Sequence, residues 1–490
     1  MVEGPPGDGR PHRSGPRHRP GPTLLPALPV GLAAAAVAVI PAALDISGGL
    51  VAAIALVYVG GLLALVRTAS GWLAAQRAST QVRTSLGLHD DIAAAVGRRL
   101  AVVATAVGLG AASALQICAY GLVGALGAPL LSYATGVDMP WWTVAGAAWL
   151  IVAVRGLLRP GRGAAIAVRI LLAAELAVLV AFVAARFASL PGPPPALTTG
   201  PADGSVLVLS VLALCGLGAS VLAVPSTFRP VSPPPVRPAG WTFVTDPRTL
   251  VGAGGVLLAA LAWSVSGVVG AGQGIDAVFA LVERDAGTTA AMLGRAIIVG
   301  SLVLAAIAAH RAVTGHLFVL GHRRLLPSAV ARTARRTAAP VVASAVGSML
   351  TAVAIAITAV AGVDPYRDLF LRTGFVGALG VLILLTVTAW TAVAVAVRQR
   401  THRTVTVVTA IAVTVTLSAG VAGAAMTFAP TTPYGGALLA VYPVAVAVGL
   451  AWAADLRRRR PEVYRSLGDE PSTPAPQPVA DLGSALSAVE

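Results

Sequence analysis

Three of the chain's seven histidines stand at six-residue intervals in AAIAAHRAVTGHLFVLGHRRLLP, residues 305–327: His310, His316 and His322. Histidine is the commonest metal ligand and the usual proton carrier near neutral pH, so the spacing raises the question of a metal site or an acid–base cluster. On a helix six residues advance by about 600°, which turns the three rings roughly 120° apart, whereas ligands to one ion need i, i+3 or i+4 spacing to share a face. If the segment is helical, these three cannot hold one ion together. The sequence also contains no HExxH, CxxC, GxSxG or P-loop, the patterns that would mark a zinc hydrolase, a thiol redox pair, a serine nucleophile or a nucleotide site. Cys118 and Cys215 each lie inside an apolar run and read as small buried hydrophobes. The expectation is a protein that is not an enzyme, with no cofactor and no resident metal. One acid stands apart: Glu175, in RILLAAELAVLVAF, falls near the middle of an apolar span. A carboxyl at that depth must be protonated, paired or wet, so it is either a candidate ion-coupling (proton) site or a neutral structural acid bonded to a neighbouring helix.

These residues have to be positioned by membrane-spanning helices. Hydrophobic residues make up 56% of the 490, charged ones 11%, and the mean hydropathy is +0.82, far too apolar for a soluble globular domain. All 35 basic residues are arginine and the net charge is +15. In a soluble protein that excess would suggest nucleic acid, but here the positive-inside rule accounts for it, and no nucleic-acid partner is expected. With about 20 apolar residues needed per crossing, spans are predicted near 23–44, 48–72, 100–127, 140–158, 164–187, 205–225, 249–271, 289–312, 338–362, 373–397, 404–428 and 434–455. The Arg-rich start followed by LPVGLAAAAVAVIPAAL resembles a secretory signal, but similar runs recur along the chain, so the first is read as a retained span. Twelve spans divide the arginines into two sets, 30 in alternate segments and five (Arg186, Arg284, Arg295, Arg367, Arg372) in the others. That asymmetry places both termini in the cytoplasm of a multi-pass plasma-membrane protein. Trp141 and Trp142 fit an outer interfacial anchor.

The resulting organisation is a disordered cytoplasmic tail (1–22), a first set of five spans (23–188), an extracellular Pro-rich loop (189–204), a second set of five (205–397), two further spans (398–456) and a disordered cytoplasmic tail (457–490). Two sets of five suggest an inverted repeat, in which solute meets unwound backbone in the first helix of each half. In the first span that places Ala34, Ala36 and Val37 at the site. In the sixth it places Cys215, Gly216, Leu217, Gly218 and Ala219, where two glycines interrupt LALCGLGASVLAVP; close packing of helices through small residues would account for the same pattern.

Several segments resemble the amino acid permeases of the amino acid/polyamine/organocation superfamily. AAAVGRRLAVVATAVGLGAASALQICAYGLVGA is similar to their third span, with Gln116, Ile117, Tyr120 and Gly121 on the motif. MPWWTVAGAAWLIVAVRGLLR and AVRILLAAELAVLV resemble the fourth and fifth, including the acid at Glu175. SLVLAAIAAHRAVTGHLFVLGHRRLLP resembles the eighth span and its cytoplasmic extension, with His310, Leu317, Phe318, Leu320, Gly321, Arg323 and Pro327 on the pattern, and TGFVGALGVLILLTVTAW the tenth. The resemblance implies an all-α integral membrane protein of twelve transmembrane helices with a five-plus-five inverted-repeat (LeuT-like) transporter fold. It implies secondary transport of an amino acid or related small amine, with H+ or Na+ as coupling ion, and Gln116 and Tyr120 shaping the substrate pocket. Gly218 stands where the family keeps a glutamate, and Arg311 where it keeps an asparagine. These departures motivate an alternative, a permease-like protein that has lost transport and serves as a sensor or assembly subunit.

Overall fold

A computed structural model describes residues 92–93, 96–157, scattered positions between 170 and 184, 274–334, 339–398 and 440–468. The described elements are α1 (Arg98–Thr135), α2 (Trp141–Gly156), α3 (Gly274–Ala286), α4 (Thr288–His322), a short 3-10 turn (Ser328–Ala331), α5 (Val341–Val360), a π-helical turn (Pro365–Arg372), α6 (Thr373–Arg398), α7 (Val441–Arg459) and α8 (Pro461–Arg465). Among the described residues there is no β-strand. Three helices, α1, α4 and α5, are long and apolar enough to cross a membrane, and α2 is a shorter apolar helix. The chain is an all-α, multi-pass membrane protein. The spans predicted at 23–44, 48–72, 205–225, 249–271 and 404–428 lie outside the described residues.

α1 and α4 form the spine. They run antiparallel: the site of a Cβ on Gly127 lies 2.7 Å from Val144 and 3.9 Å from Val299, while the corresponding site on Gly108 comes within 4.0 Å of His316. Between these levels Tyr120, Leu122, Leu126, Ala145, Leu302 and Ala306 make the main apolar core. α6 packs on α1 through small residues, since a Cβ on Gly377 would lie 2.6 Å from Leu115. Tyr442 of α7 reaches the same seam and donates its hydroxyl to the carbonyl of Val376. The outward faces are apolar as well: on α5, Met349 is 68% exposed and Ile357 63% exposed. In water such a face would aggregate, whereas in a bilayer it meets lipid.

Both spine helices outrun their predicted spans of 100–127 and 289–312. A count of apolar residues finds the bilayer crossing, but a helix ends where its carbonyls find other donors. For α1 the stop is Gly136, at φ 69°, whose N–H reaches the Ser132 carbonyl. For α4 it is Arg324, at φ 59° the one non-glycine residue with positive φ among the described residues. The N–H of Leu325 returns to the Leu320 carbonyl at 2.9 Å across that turn. A side chain in the left-handed region costs about 1 kcal/mol, so Arg324→Gly should raise Tm slightly despite loss of a cation. Thermal unfolding in detergent checks this; a lower Tm would mean that the Arg324 side chain stabilises the fold by more than the strain.

The far end of the chain also differs from expectation. Residues 457–468, assigned to the disordered tail, are ordered: α7 continues to Arg459, α8 follows, and Leu467 is buried. Composition missed this because the apolar residues that bury it, Val463, Tyr464 and Leu467 with Leu456 before them, are spaced among charges.

Candidate functional site

Some of the polar residues buried in the spine, Gln116, Tyr120, His310 and Thr314, come together at one level. Gln116 and Tyr120 share a face of α1 at i, i+4 spacing, and Gln116 Nε2 donates to the Tyr120 hydroxyl at 3.2 Å. The same nitrogen lies 3.2 Å from His310 Nδ1 on α4. With Gln116 donating there, His310 carries its hydrogen on Nε2, which stands 3.0 Å from Ser344 Oγ on α5. Thr314, one turn along α4, is 3.4 Å from that ring nitrogen. A single chain of polar contacts therefore ties three helices, Tyr120–Gln116–His310–Ser344. Each member is at most 1% exposed.

Glycines give this cluster its room. A Cβ on Gly156, at the end of α2, would lie 2.7 Å from His310 Nε2 and 2.8 Å from Ser344 Oγ, so only glycine lets that helix end approach the imidazole. One turn further along α5, Trp149 Nε1 donates to the Ser348 carbonyl at 2.9 Å and clamps α2 against α5. Arg311, next to His310, donates to the Arg155 carbonyl at 3.4 Å in the last turn of α2. A cation at a helix C-terminus is favourable, so Arg311 has a structural reason to replace a neutral side chain.

The cluster has one conspicuous deficit. Gln116 Oε1 and Ser113 Oγ are buried without a hydrogen-bond partner. An unpartnered buried polar atom costs about 1–3 kcal/mol and is uncommon in a folded protein. Rotating the Gln116 amide would leave its two N–H groups unmet in place of one oxygen, so the observed orientation is the less costly one.

The three histidines do not act as a set. His310 belongs to the buried cluster, His316 faces α1 near Gly108 and Leu384 of α6, and His322 is exposed and stacks on Phe318 at 6.2 Å. Among the described residues no three histidines, cysteines or acids converge as metal ligands. Of the residues expected at a binding site, Gln116 and Tyr120 are brought together. Ala34, Ala36, Val37, Cys215, Gly216, Leu217, Gly218, Ala219 and the ion-coupling candidate Glu175 lie outside the described residues. The expected anchor pair divides: Trp141 packs on the core, while Trp142 is 48% exposed. Sequence reasoning missed Ser344 and Thr314, because most hydroxyls in these spans bond their own helix, as Thr105 does to Ala101 and Thr358 to Ala354. Nothing in the sequence distinguishes the two kinds.

Fold and site together define a multi-pass membrane protein built from long apolar helices around a buried polar cluster. No family model and no curated protein matches the chain. Among solved structures it is similar to a manganese transporter of Eremococcus coleocola in complex with an aromatic bis-isothiourea-substituted compound, at 13% identity and a TM-score of 0.45, over 90% of this chain and 95% of that one. Two mutant forms of the same transporter match at 14% and 15% identity, each with a TM-score of 0.41 and the same coverage.

These findings correct the expectation of an amino acid permease of the amino acid/polyamine/organocation superfamily. The solved structures to which the chain is similar are of a manganese transporter. The expectation of an amino acid or amine as substrate falls with it. The physical reason lies in the eighth-span pattern that carried the resemblance. Leu320 is buried; a Cβ on Gly321 would lie 2.8 Å from the Ala331 backbone; Pro327 starts the 3-10 turn. That pattern describes how a helix ends and folds back, and it carries no information about a solute.

Proposed function

We propose that the chain is a secondary transporter, with solute recognised beside the Tyr120–Gln116–His310–Ser344 cluster. The observation that carries this reading is the unpartnered Gln116 Oε1, part way along the two helices that form the spine. Ionisable residues within membrane spans, here His310, mark solute and ion paths, and an orphaned acceptor beside one leaves a place for a donor or a cation. An amide oxygen is a hard ligand of the kind that divalent manganese, magnesium or calcium accepts; it also accepts from an N–H or O–H of a polar solute. It repels anions. The twelve-span inverted repeat with both termini cytoplasmic belongs to the same proposal, supported by the arginine asymmetry.

The test is a thermal-stability panel on purified protein. It contains manganese and other divalent cations, neutral polar solutes, and anions as the negative arm. A ligand present at 100 times its Kd stabilises the folded state by about 2.7 kcal/mol. We expect a rise in Tm with a cation or a donor-bearing solute, and loss of that rise in Gln116→Leu. A rise with anions alone, or one unaffected by Gln116→Leu, would contradict the assignment of the site.

A further inference from the structure

At the Arg-rich end of the bundle the chain's last described residues cross over the ends of both spine helices. α8 and the turn after it place Leu467, 3% exposed, in an apolar cluster with Ile92, Ala101, Leu320, Leu325 and Leu456. Two charged side chains fasten this crossing to backbone. Arg98, first residue of α1, donates through Nε to the Leu467 carbonyl at 3.0 Å. Arg460, between α7 and α8, donates to the carbonyl of Arg324 at 2.9 Å. The receiving carbonyl belongs to the residue whose left-handed conformation ends α4. Gly468, the last described residue, has a φ of 85°.

We infer that residues 460–467 are a strap that holds the Arg-rich end closed and must release before that end can open. The bridge has three anchor points on three elements: the start of α1, the turn after α4 and the end of α7. An opening that separates any two of them breaks a charge-assisted hydrogen bond or withdraws Leu467 from its cluster. The anchoring is also graded for release. Each hydrogen bond accepts at a backbone carbonyl, and the apolar contribution rests on one leucine with partly buried Val463 and Tyr464 beside it. This is much less than the contact that binds α1 to α4 along their length.

The inference rests on the transporter reading, since opening has a purpose only in a transport cycle, but its test reads distance and not uptake. Spin labels replace the exposed Arg99, at the start of α1, and Arg332, after the 3-10 turn that follows α4, in a Cys118→Ser, Cys215→Ser background. Pulsed electron spin resonance then compares the full chain, a chain ending at Arg460, and the full chain with Arg460→Gln and Leu467→Ala. The full chain should give one narrow distance. Both altered chains should add a population longer by roughly 5 Å, the scale of a one-turn helix displacement. An unchanged distribution in the double variant, with the protein monodisperse, overturns the strap even if the truncated chain fails to fold. A new long distance with no solute transported would leave the strap standing and remove the transporter reading.

Discussion

Gly121→Val should leave little or no folded protein. A Cβ at this position would lie 2.9 Å from both the Phe370 nitrogen and the Pro365 carbonyl oxygen and 3.1 Å from Leu369 Cβ. Two of the three contacts are backbone, in the π-helical turn that precedes α6. That turn is internally fixed, because the Asp364 carboxylate caps it by accepting from the Tyr366 and Arg367 N–H groups at 2.8 and 2.7 Å. Overpacking of a well-filled core costs typically 1–3 kcal/mol, and contact with fixed backbone belongs at or above the top of that range. Gly110→Ala is the control, since nothing lies within 4 Å of its Cβ site, and replacing a mid-helix glycine there should stabilise by about 0.5–1 kcal/mol. Size-exclusion profiles and thermal unfolding of the two variants read the difference. A Gly121→Val protein with the wild-type Tm would show that α1 and the π-helical turn are not packed as described.

The second large effect is expected at His310. Its imidazole links the α1 and α5 members of the polar chain, accepting from Gln116 and donating to Ser344. His310→Ala strands both partners in a buried setting, at about 1–3 kcal/mol for each group left unmet. Ser344→Ala alone should cost less, because the hydroxyl is lost together with its own demand for a partner. In the double variant the two effects should fall short of their sum, since groups that share a hydrogen bond are coupled. A double-mutant cycle on thermal or denaturant stability measures this directly. Strict additivity would mean that the His310–Ser344 contact contributes nothing.

How much of this was legible in the sequence depends on which physical signal each feature leaves. Hydropathy located α2 and α5 to within three residues at each end, since 140–158 and 338–362 correspond to Trp141–Gly156 and Val341–Val360. It misplaced the far ends of α1 and α4, because those are decided by backbone conformation at Gly136 and Arg324 and not by contact with lipid. Gln116 and Tyr120 stand out only through the resemblance of their segment to a permease third span. Their link to His310, 194 residues away, and to Ser344 required the antiparallel register of α1 and α4, which no local pattern encodes. Arg311 shows the opposite hazard. Read against a motif it was an anomaly at a substrate site, whereas in three dimensions it donates to the last turn of α2. The permease resemblance failed for a related reason: Gly321, Pro327 and the arginines between them record how a helix terminates at the membrane surface, which unrelated cargoes share.

The most direct test of the central claim is solute flux in proteoliposomes, comparing wild type with Gln116→Leu at equal incorporation. Manganese, other divalent cations and neutral polar solutes are offered one at a time against protein-free vesicles. The account predicts saturable, protein-dependent uptake of at least one of them, reduced tenfold or more by Gln116→Leu, a loss equivalent to at least about 1.4 kcal/mol. Uptake at the protein-free level for every solute, from a folded and monodisperse preparation, would contradict it, as would uptake that Gln116→Leu leaves unchanged.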